Sequence, residues 1–130
     1  MKTIDLETYK KTAFINITHS VREAVLKSGV KEGVAVVHCP HTTAGITVTE
    51  NADPDVCTDM IAALDALVPK LNYRHGEGNS PAHLKSILVG NSVSVPVTNG
   101  DIALGTWQGI YFCEFDGPRM RQYYITIGAR

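Results

Sequence analysis

The segment Tyr73–Ser86, with the sequence YRHGEGNSPAHLKS, concentrates side chains that can do chemistry. It places histidines, a carboxylate, an amide, a hydroxyl and a lysine around two glycines. Ser80 followed by Pro81 predicts a helix start, because a hydroxyl residue suits the N-cap and proline suits the first helical position. A loop that bends over a helix N-terminus can bind an anion or a metal ion. The segment therefore predicts a functional site, and the alternative is a surface loop with solvated histidines.

Three histidines are predicted at loop or helix ends, namely His41, His75 and His83. Neutral imidazole is the commonest metal ligand, and three imidazoles leave a coordination position open for water or substrate. No short motif such as H-E-x-x-H identifies a metal site here. The alternatives are acid–base catalysis by one histidine that Glu77 or Asp53 orients, and direct binding of a substrate phosphate by the histidines. The sequence leaves these roles open.

Arg119 and Arg121 are spaced so that both side chains would point the same way on a strand. Two guanidinium groups on one face can clamp a phosphate or a carboxylate through paired hydrogen bonds. Further groups that could surround a phosphorylated small molecule are Lys85, Asn79 and Ser80. The alternative is that the two arginines only form ion pairs with Glu114 and Asp116.

Acidic residues are concentrated around the predicted start of a second helix, namely Glu50, Asp53, Asp55 and Asp59. Asp53 before Pro54 predicts an N-cap, and the helix should continue to Leu67. Asp55 and Asp59 are one helical turn apart, so their carboxylates should share one face. These residues are either functional carboxylates or a solvated helix surface that the helix dipole favours.

The only tryptophan, Trp107, is followed by Gln108 and lies between two glycines, Gly105 and Gly109. A rigid aromatic side chain beside an amide could stack on a planar ring and hydrogen-bond to its edge. The alternative is core packing at a strand end, which is the commoner role of a lone tryptophan.

Alternating or β-branched apolar runs predict strands at residues 3–9, 13–17, 34–39, 45–49, 92–97, 102–107, 109–115 and 120–127. Helices are predicted at residues 20–29, 53–67 and 80–90. The first helix should begin with a capping box formed by Ser20 and Glu23. The second helix should bury an apolar stripe formed by Val56, Met60, Ala63, Leu64 and Leu67.

The composition bounds the class of protein. A chain of 130 residues fits one domain, residues 1–130, and 44% hydrophobic with 19% charged residues predicts a packed core. The net charge of −1 argues against nucleic acid or an anionic membrane surface as a partner. No apolar run approaches ~20 residues, and the charged N-terminus is unlike a signal peptide. Three cysteines without metal-type spacing indicate a reducing compartment, so we expect a cytoplasmic protein.

Three runs closely resemble the YjbQ-like family, which is usually called secondary thiamine-phosphate synthase enzyme. They are HTTAGITVTENADPDV (His41–Val56), RHGEGNSPAHLKSILVG (Arg74–Gly90) and GDIALGTWQGIYFCEFDGPRMR (Gly100–Arg121), and the resemblance extends from about Val34 onward. It implies a compact α+β domain built around a β-sandwich of mostly antiparallel strands with a few short helices. It also implies a homotrimer with clefts near the subunit boundaries.

The activity associated with the family joins a hydroxymethylpyrimidine diphosphate to a thiazole phosphate and releases pyrophosphate, and it looks like a secondary activity. The resemblance implies a polar pocket with a divalent metal ion, zinc or magnesium, whose ligands would be His41, His75 and His83. The alternatives to this transferase are a metal-assisted hydrolase of unknown substrate and a non-catalytic trimer that holds a metabolite or a metal.

Residues and resemblance together give an expected role to each member of the site. Catalytic carboxylates are expected at Asp53, Asp59, Glu77 and Glu114. Substrate or phosphate binding is expected at Thr42, Asn79, Ser80, Lys85, Trp107, Gln108, Arg119 and Arg121. Pyrophosphate departure leaves a developing cation and a negative leaving group, and arginines, a lysine and a divalent ion could neutralise the leaving group.

Overall fold

The computed structural model describes every residue from Met1 to Arg130, and the chain forms an α+β domain of eight strands and three helices. The strands are β1 (Lys2–Glu7), β2 (Ala13–Asn16), β3 (Gly33–His38), β4 (Ala44–Glu50), β5 (Ser92–Thr98), β6 (Asp101–Ile102), β7 (Gln108–Glu114) and β8 (Met120–Ala129). The helices are α1 (Thr18–Ser28), α2 (Pro54–Leu67) and α3 (Ser80–Val89). The α+β class expected from the sequence is confirmed.

The strands form two antiparallel sheets. One sheet has the order β1-β8-β3-β5-β6 and the other has the order β2-β7-β4. Alternate apolar residues of both sheets meet α1 in one core, which includes Val21, Val37, Ile46, Phe112 and Ile125. Burying each such side chain stabilises the fold by about 1.5–3 kcal/mol. The inner faces of the two sheets therefore pack against each other, as the alternation of the sequence predicts.

The outer face of the three-stranded sheet packs against α2 and α3. Tyr111, Cys113 and Phe115 form a second apolar cluster with Ala82 of α3. Strand β7 is consequently buried on both faces, which explains its unbroken apolar run. The end of α3 is joined to β4, because Ile46 N donates to Gly90 O at 3.0 Å.

Close packing fixes α3 against the sheet. A Cβ on Gly45 of β4 would lie only 2.5 Å from Gly90 O, so glycine is required at this approach. Ser86 Oγ of α3 donates to Ala44 O at 2.7 Å. These contacts hold the helix that carries His83 at a defined height above the strand.

Two predicted helix starts are wrong. Helix α1 begins at Thr18, and its N-cap residue Ile17 has no side-chain cap bond, so Ser20 and Glu23 form no capping box. Asn16 Oδ1 instead accepts from Thr18 N at 3.0 Å. Helix α3 contains Ser80 as its first residue, so Ser80 is not the N-cap. The prediction for α2 is confirmed, since its N-cap Asp53 accepts from a backbone N–H.

The buried stripe predicted for α2 is correct only in part. No residue of this helix is fully buried, and Leu67 is 65% exposed. Of the predicted stripe, Val56 and Leu64 are half-buried and Leu64 packs on the second apolar cluster together with Cys57, whereas Met60 and Leu67 are exposed. The return strand predicted at residues 102–107 is also shorter, ending at Ile102. None of the three helices is both long enough and apolar enough to cross a membrane.

Candidate functional site

Four loop and helix ends meet around a cleft of about 370 Å³, called here the histidine cleft. They are the β3–β4 connection, the loop before α3, the first turn of α3 and the β7–β8 connection. The cleft has no hydrophobic side chains, and its lining residues are Pro40, His41, Thr42, Thr43, His75, Glu77, Asn79, His83, Arg119 and Arg121. The structure thus brings together the three histidines and both arginines that the sequence singled out.

A buried ion pair, called here the floor, lies beneath the cleft. Arg121 is 3% exposed and Glu114 is 0% exposed. Glu114 Oε1 accepts from Arg121 Nε at 2.8 Å, and Glu114 Oε2 accepts from Arg121 Nη2 at 2.5 Å. Thr8 Oγ1 donates to the same carboxylate at 2.7 Å, and Asp116 N donates at 3.0 Å. Each carboxylate oxygen of Glu114 therefore accepts two hydrogen bonds, one of them from Arg121.

The hydrogen bonds of the floor keep Glu114 ionised. Burial alone would raise the pKa of Glu114, but the hydrogen bonds from Arg121, Thr8 and the backbone of Asp116 outweigh burial and lower this pKa. An ionised Glu114 offsets the charge of Arg121, so the pair adds no net charge to the protein interior. Glu114 lies under the cleft and does not line it, so it acts by positioning Arg121.

Arg121 presents one free nitrogen to the cleft. Its Nη2 also donates to Thr43 O at 3.2 Å and to Thr43 Oγ1 at 2.9 Å. Its Nη1 makes no hydrogen bond within the chain, although Arg121 lines the cleft. The only buried side-chain polar atom without a partner is Asn79 Oδ1, so Nη1 is open to the cleft. The guanidinium is therefore a donor of fixed direction, which suits an oxyanion.

The ring of His41 is held by the backbone of β8 in the large sheet. Strand β3 ends at His38, and just beyond the last β3–β8 pair Gln122 N donates to His41 Nε2 at 3.0 Å. Burial, followed by the positive charge of Arg121, lowers the pKa of His41. His41 is consequently an oriented, uncharged imidazole in the wall of the cleft.

His75 and His83 form the other side of the cleft. Their ring centroids are 5.3 Å apart, and the rings are nearly perpendicular at 84°. Neither ring makes a hydrogen bond within the chain, and His75 is exposed on the loop before α3. Edge-to-face contact is favourable for an aromatic pair by itself. The ring nitrogens of these imidazoles are therefore free to contact a ligand.

The histidines fit a metal ion only in part. Two imidazoles on one tetrahedral zinc ion, each bonded at ~2.0–2.1 Å, place their ring centroids roughly 5 Å apart, and His75 and His83 match that spacing. His41 does not match, because Gln122 N occupies its Nε2 lone pair. No group of three or more histidines, cysteines or acidic residues is arranged to hold a metal ion. The predicted three-histidine set thus does not fit a metal as it stands, and a divalent ion remains a prediction.

The rim of the cleft is tied together by Asp116. Arg119 Nη2 and Asn79 Nδ2 both donate to Asp116 Oδ2, at 3.0 and 2.9 Å. The ion pairs of the two arginines with Glu114 and Asp116 are therefore present, and both arginines line the cleft as well, so the pairing does not exclude a role in binding an anion. Glu77 and Thr42 complete the rim without side-chain hydrogen bonds and face solvent.

Several residues predicted for the site do not line the cleft of this chain, namely Asp53, Asp59, Trp107 and Gln108. Asp53 Oδ1 caps α2 by accepting from Asp55 N at 2.9 Å. Gln108 Oε1 accepts from Gly105 N at 2.8 Å, and Trp107 is 63% exposed. Asp59 is exposed on α2. Local backbone geometry accounts for the polar side chains of Asp53 and Gln108.

Ser80 and Lys85 are also outside the cleft. Ser80 is in the first turn of α3 and does not line the cleft, whereas Lys85 is buried and its Nζ donates to Asp65. Lys85 lines an adjoining cavity of about 430 Å³, which shares Glu77 and Asn79 with the histidine cleft. Lys85 therefore supplies no charge to the histidine cleft itself.

Sequence reasoning missed Thr43, Thr8 and the backbone N–H of Gln122, which hold Arg121, Glu114 and His41. Thr43 follows Thr42 in the run after His41, and this position near His41 is the sequence feature that could have identified it. Thr8 contacts Glu114 across a separation of 106 residues, and no local pattern indicates such a contact.

Comparisons with known proteins agree with this architecture. A family model described as UPF0047 protein YjbQ-like matches residues 2–130. The UPF0047 protein YugU of Bacillus subtilis is 52% identical over 129 residues, covering 98% of each chain. A UPF0047 protein of Methanocaldococcus jannaschii is 51% identical over 123 residues, covering 94% of this chain and 89% of that protein.

Solved structures give the same result. A YjbQ/UPF0047 protein of Clostridium acetobutylicum superimposes with a TM-score of 0.95 at 53% identity, covering 98% of this chain and 100% of that one. A YbjQ-like protein of unknown function from Sulfolobus solfataricus superimposes with a TM-score of 0.92 at 28% identity, covering 99% and 96%. With its fold, its sequence and nearly its whole length matched, the chain belongs to the YjbQ-like UPF0047 family.

Proposed function

We propose that the histidine cleft binds a phosphorylated small molecule and supports a group transfer in which pyrophosphate departs. The observation that carries this proposal is a cleft without hydrophobic side chains, in which a buried, charge-compensated arginine presents a free nitrogen beside three imidazoles. The finer proposal, which the resemblance supplies, is the joining of a hydroxymethylpyrimidine diphosphate to a thiazole phosphate.

The residues of the cleft suit that reaction. The bond between the pyrimidine methylene carbon and the diphosphate oxygen breaks, and its electron pair leaves with pyrophosphate. The ring nitrogen of the thiazole then donates its lone pair to the carbon, so charge and atoms balance. Arg121 and Arg119 would offset the charge that develops on the leaving group. A protonated His75 or His83 would donate a proton to it.

The spacing of His75 and His83 favours a second candidate, a metal-dependent hydrolase. We propose that any divalent ion in the cleft is bound by these two histidines. Imidazole ligands favour zinc over magnesium, which prefers oxygen ligands. When bound, such an ion would polarise a phosphoryl or carbonyl oxygen. Elemental analysis of the purified protein and of a His75→Ala, His83→Ala double variant tests this: metal retained by the double variant contradicts the assignment.

A turnover assay separates the transferase from the binding module. The protein is incubated with both phosphorylated substrates, and pyrophosphate release and thiamine phosphate are measured together. His83→Ala should reduce turnover at least about 100-fold, the contribution expected of a general acid. His19→Ala is the matched control, because His19 is an exposed histidine of α1 outside the cleft. Phosphate-ester binding without product formation in the wild type would contradict the transferase and favour the non-catalytic module.

We also propose that the chain assembles as the homotrimer that the resemblance implies. Large apolar side chains that a subunit interface would cover are exposed on α2, α3 and the loop before β7, namely Met60, Leu67, Ile87, Leu88 and Trp107. Light scattering on the protein as it elutes from a size-exclusion column measures the mass of the assembly directly. A monomer at micromolar concentration contradicts the proposal, and Leu67→Lys, which places a charge in the apolar surface, should weaken assembly if that surface is the interface.

A further inference from the structure

The hydrogen bond from the backbone to His41 determines where its proton resides. Gln122 N donates to His41 Nε2 at 3.0 Å, so that nitrogen must present its lone pair. A proton on Nε2 would direct one N–H at another, which excludes both the Nε2–H tautomer and the doubly protonated ring in this arrangement. The neutral ring therefore carries its proton on Nδ1, and the main chain of β8 fixes the tautomer.

The Nδ1–H group has no acceptor within the chain. His41 makes no other side-chain hydrogen bond, and Nδ1 is absent from the buried polar atoms without a partner, whose only member is Asn79 Oδ1. His41 lines both the histidine cleft and an adjoining cavity of about 360 Å³ that shares Thr42 and His83 with it, so its Nδ1–H is open to a ligand on this side of the protein. The same reasoning applies to Arg121 Nη1, whose neighbouring nitrogens are bonded to Glu114 and Thr43.

We propose that His41 Nδ1–H and Arg121 Nη1 form a fixed two-donor clamp for one oxyanion, of the phosphate class, and that His41 is not a metal ligand. The clamp deepens the proposed phosphate site and rests on it. Each donor is oriented by a hydrogen bond on its far side, from Gln122 N or to Glu114, so little side-chain freedom is lost when an anion binds. Metal coordination through His41 Nδ1 would require removal of its proton to give an imidazolate.

The three histidines of the cleft therefore have different roles in this proposal. His41 is a directional donor with one fixed proton, whereas the rings of His75 and His83 make no hydrogen bond within the chain and can contact a ligand or a cation. A ligand phosphate would thus contact His41 and Arg121 on the side of β8 and meet the adaptable pair on the side of α3.

Histidine tautomers can be observed directly. In protein labelled with ¹⁵N-histidine, long-range ¹H–¹⁵N correlation spectra distinguish protonated from unprotonated ring nitrogens, and single variants assign the five histidines. We expect the free protein to show His41 as the neutral Nδ1–H form. Inorganic phosphate should shift the NMR signals of His41 Nδ1 and of the Arg121 side chain. Zinc should shift the ring signals of His75 and His83, while the proton on His41 Nδ1 remains. An Nε2–H form, or zinc displacing the Nδ1 proton, overturns the proposal.

A matched pair of variants measures the contribution of the donor. His41→Asn and His41→Leu both lose the acceptor for Gln122 N, but only asparagine places an amide N–H near the position of Nδ1. Phosphate affinity should remain within a few-fold of wild type in His41→Asn and fall about tenfold or more in His41→Leu, the range for a charged hydrogen bond. Circular dichroism and thermal unfolding of both variants confirm that the fold is retained.

The outcomes distinguish this clamp from the site that contains it. If phosphate binds the wild type and both variants lower its affinity equally, the clamp is overturned and the phosphate site is not. If millimolar phosphate shifts the NMR signals of no residue of the cleft, both the clamp and the phosphate site are overturned. Acetate serves as the second ligand: weaker binding than phosphate supports the assigned class, and binding as tight as phosphate overturns the phosphate preference.

Discussion

The floor of the cleft and the loop that lines one side of it are built in opposite ways. In the floor, Arg121 and Glu114 are buried and joined by two direct hydrogen bonds, with further bonds to Thr8 and Thr43. In the loop at residues 71–78, most side chains are exposed, and His75 has no side-chain hydrogen bond. Functional groups of the same cleft therefore differ in how firmly the fold holds them.

This difference suits different tasks. A donor that is already oriented loses little entropy when it binds an anion, so it contributes to affinity and position. A group that transfers a proton or binds a cation must approach and leave its ligand, and loops are where such adaptability is found. We expect substitutions in the floor to act mainly on stability and substitutions in the loop mainly on ligand binding.

The largest expected effect is on Glu114→Ala. Removing the carboxylate leaves the charge of Arg121 buried without a partner, and breaking such pairs costs about 3–5 kcal/mol. Urea denaturation followed by circular dichroism measures the free energy of unfolding. The matched control is Glu77→Ala, which removes an exposed carboxylate from the rim of the same cleft and should change stability by less than about 0.5 kcal/mol. Equal losses in the two variants would refute the distinction between floor and loop.

A glycine from each region gives the next comparison. A Cβ on Gly117 would lie 2.1 Å from Lys10 O and 2.9 Å from Thr8 Oγ1, so the backbone under the floor would have to move. A Cβ on Gly76 in the loop meets nothing within 4 Å. Gly117→Ala should cost about 1–3 kcal/mol, whereas Gly76→Ala should be neutral or stabilise by about 0.4–1 kcal/mol. Thermal unfolding of both variants measures the difference. A Gly117→Ala variant as stable as the wild type would contradict the rigidity of the floor.

Acid should weaken the floor selectively. The pKa of Glu114 in the folded chain lies below its ordinary value of 4.5, despite burial, because its hydrogen bonds favour the carboxylate. The stability that this shift contributes is present above pH 4.5 and is lost as pH falls through the folded pKa. The stability difference between wild type and Glu114→Gln should therefore shrink as pH falls through that range. A difference that stays constant down to pH 2 would mean that Glu114 does not titrate with the fold.

The sequence predicts the loop better than the floor. The residues of the loop and the start of α3 are close together in the chain, so His75, Glu77 and His83 are recognisable as a cluster from spacing alone. The floor depends on Glu114 meeting Thr8 across 106 residues, and the pairing of β1 with β8, continued by the bond from Thr8 N to Arg119 O, brings Thr8 to it. Residue types indicated that Arg121 binds an anion, but not that it is buried.

Helix α2 illustrates a different limit. Its length and N-cap are correctly predicted from Asp53 and Pro54, because these signals are local. Its buried face is predicted only in part, because Leu64 of the predicted stripe contacts the sheet, whereas Met60 and Leu67 are exposed and Cys57 makes the second contact. Likewise, Trp107 has the residue type of a ligand-stacking group, yet its place relative to the cleft depends on the path of the loop before β7.

The smallest expected effect on stability is that of His75→Ala. This ring is exposed and makes no hydrogen bond within the chain, so its removal should change the free energy of unfolding by less than about 0.5 kcal/mol. If His75 and His83 bind zinc together, loss of one ligand should lower zinc affinity by at least about tenfold, an effect that titration against a chromophoric chelator measures. His19→Ala controls for loss of a histidine elsewhere. A large stability loss with unchanged zinc affinity would reverse the comparison, because the loop would then serve the fold rather than the ligand.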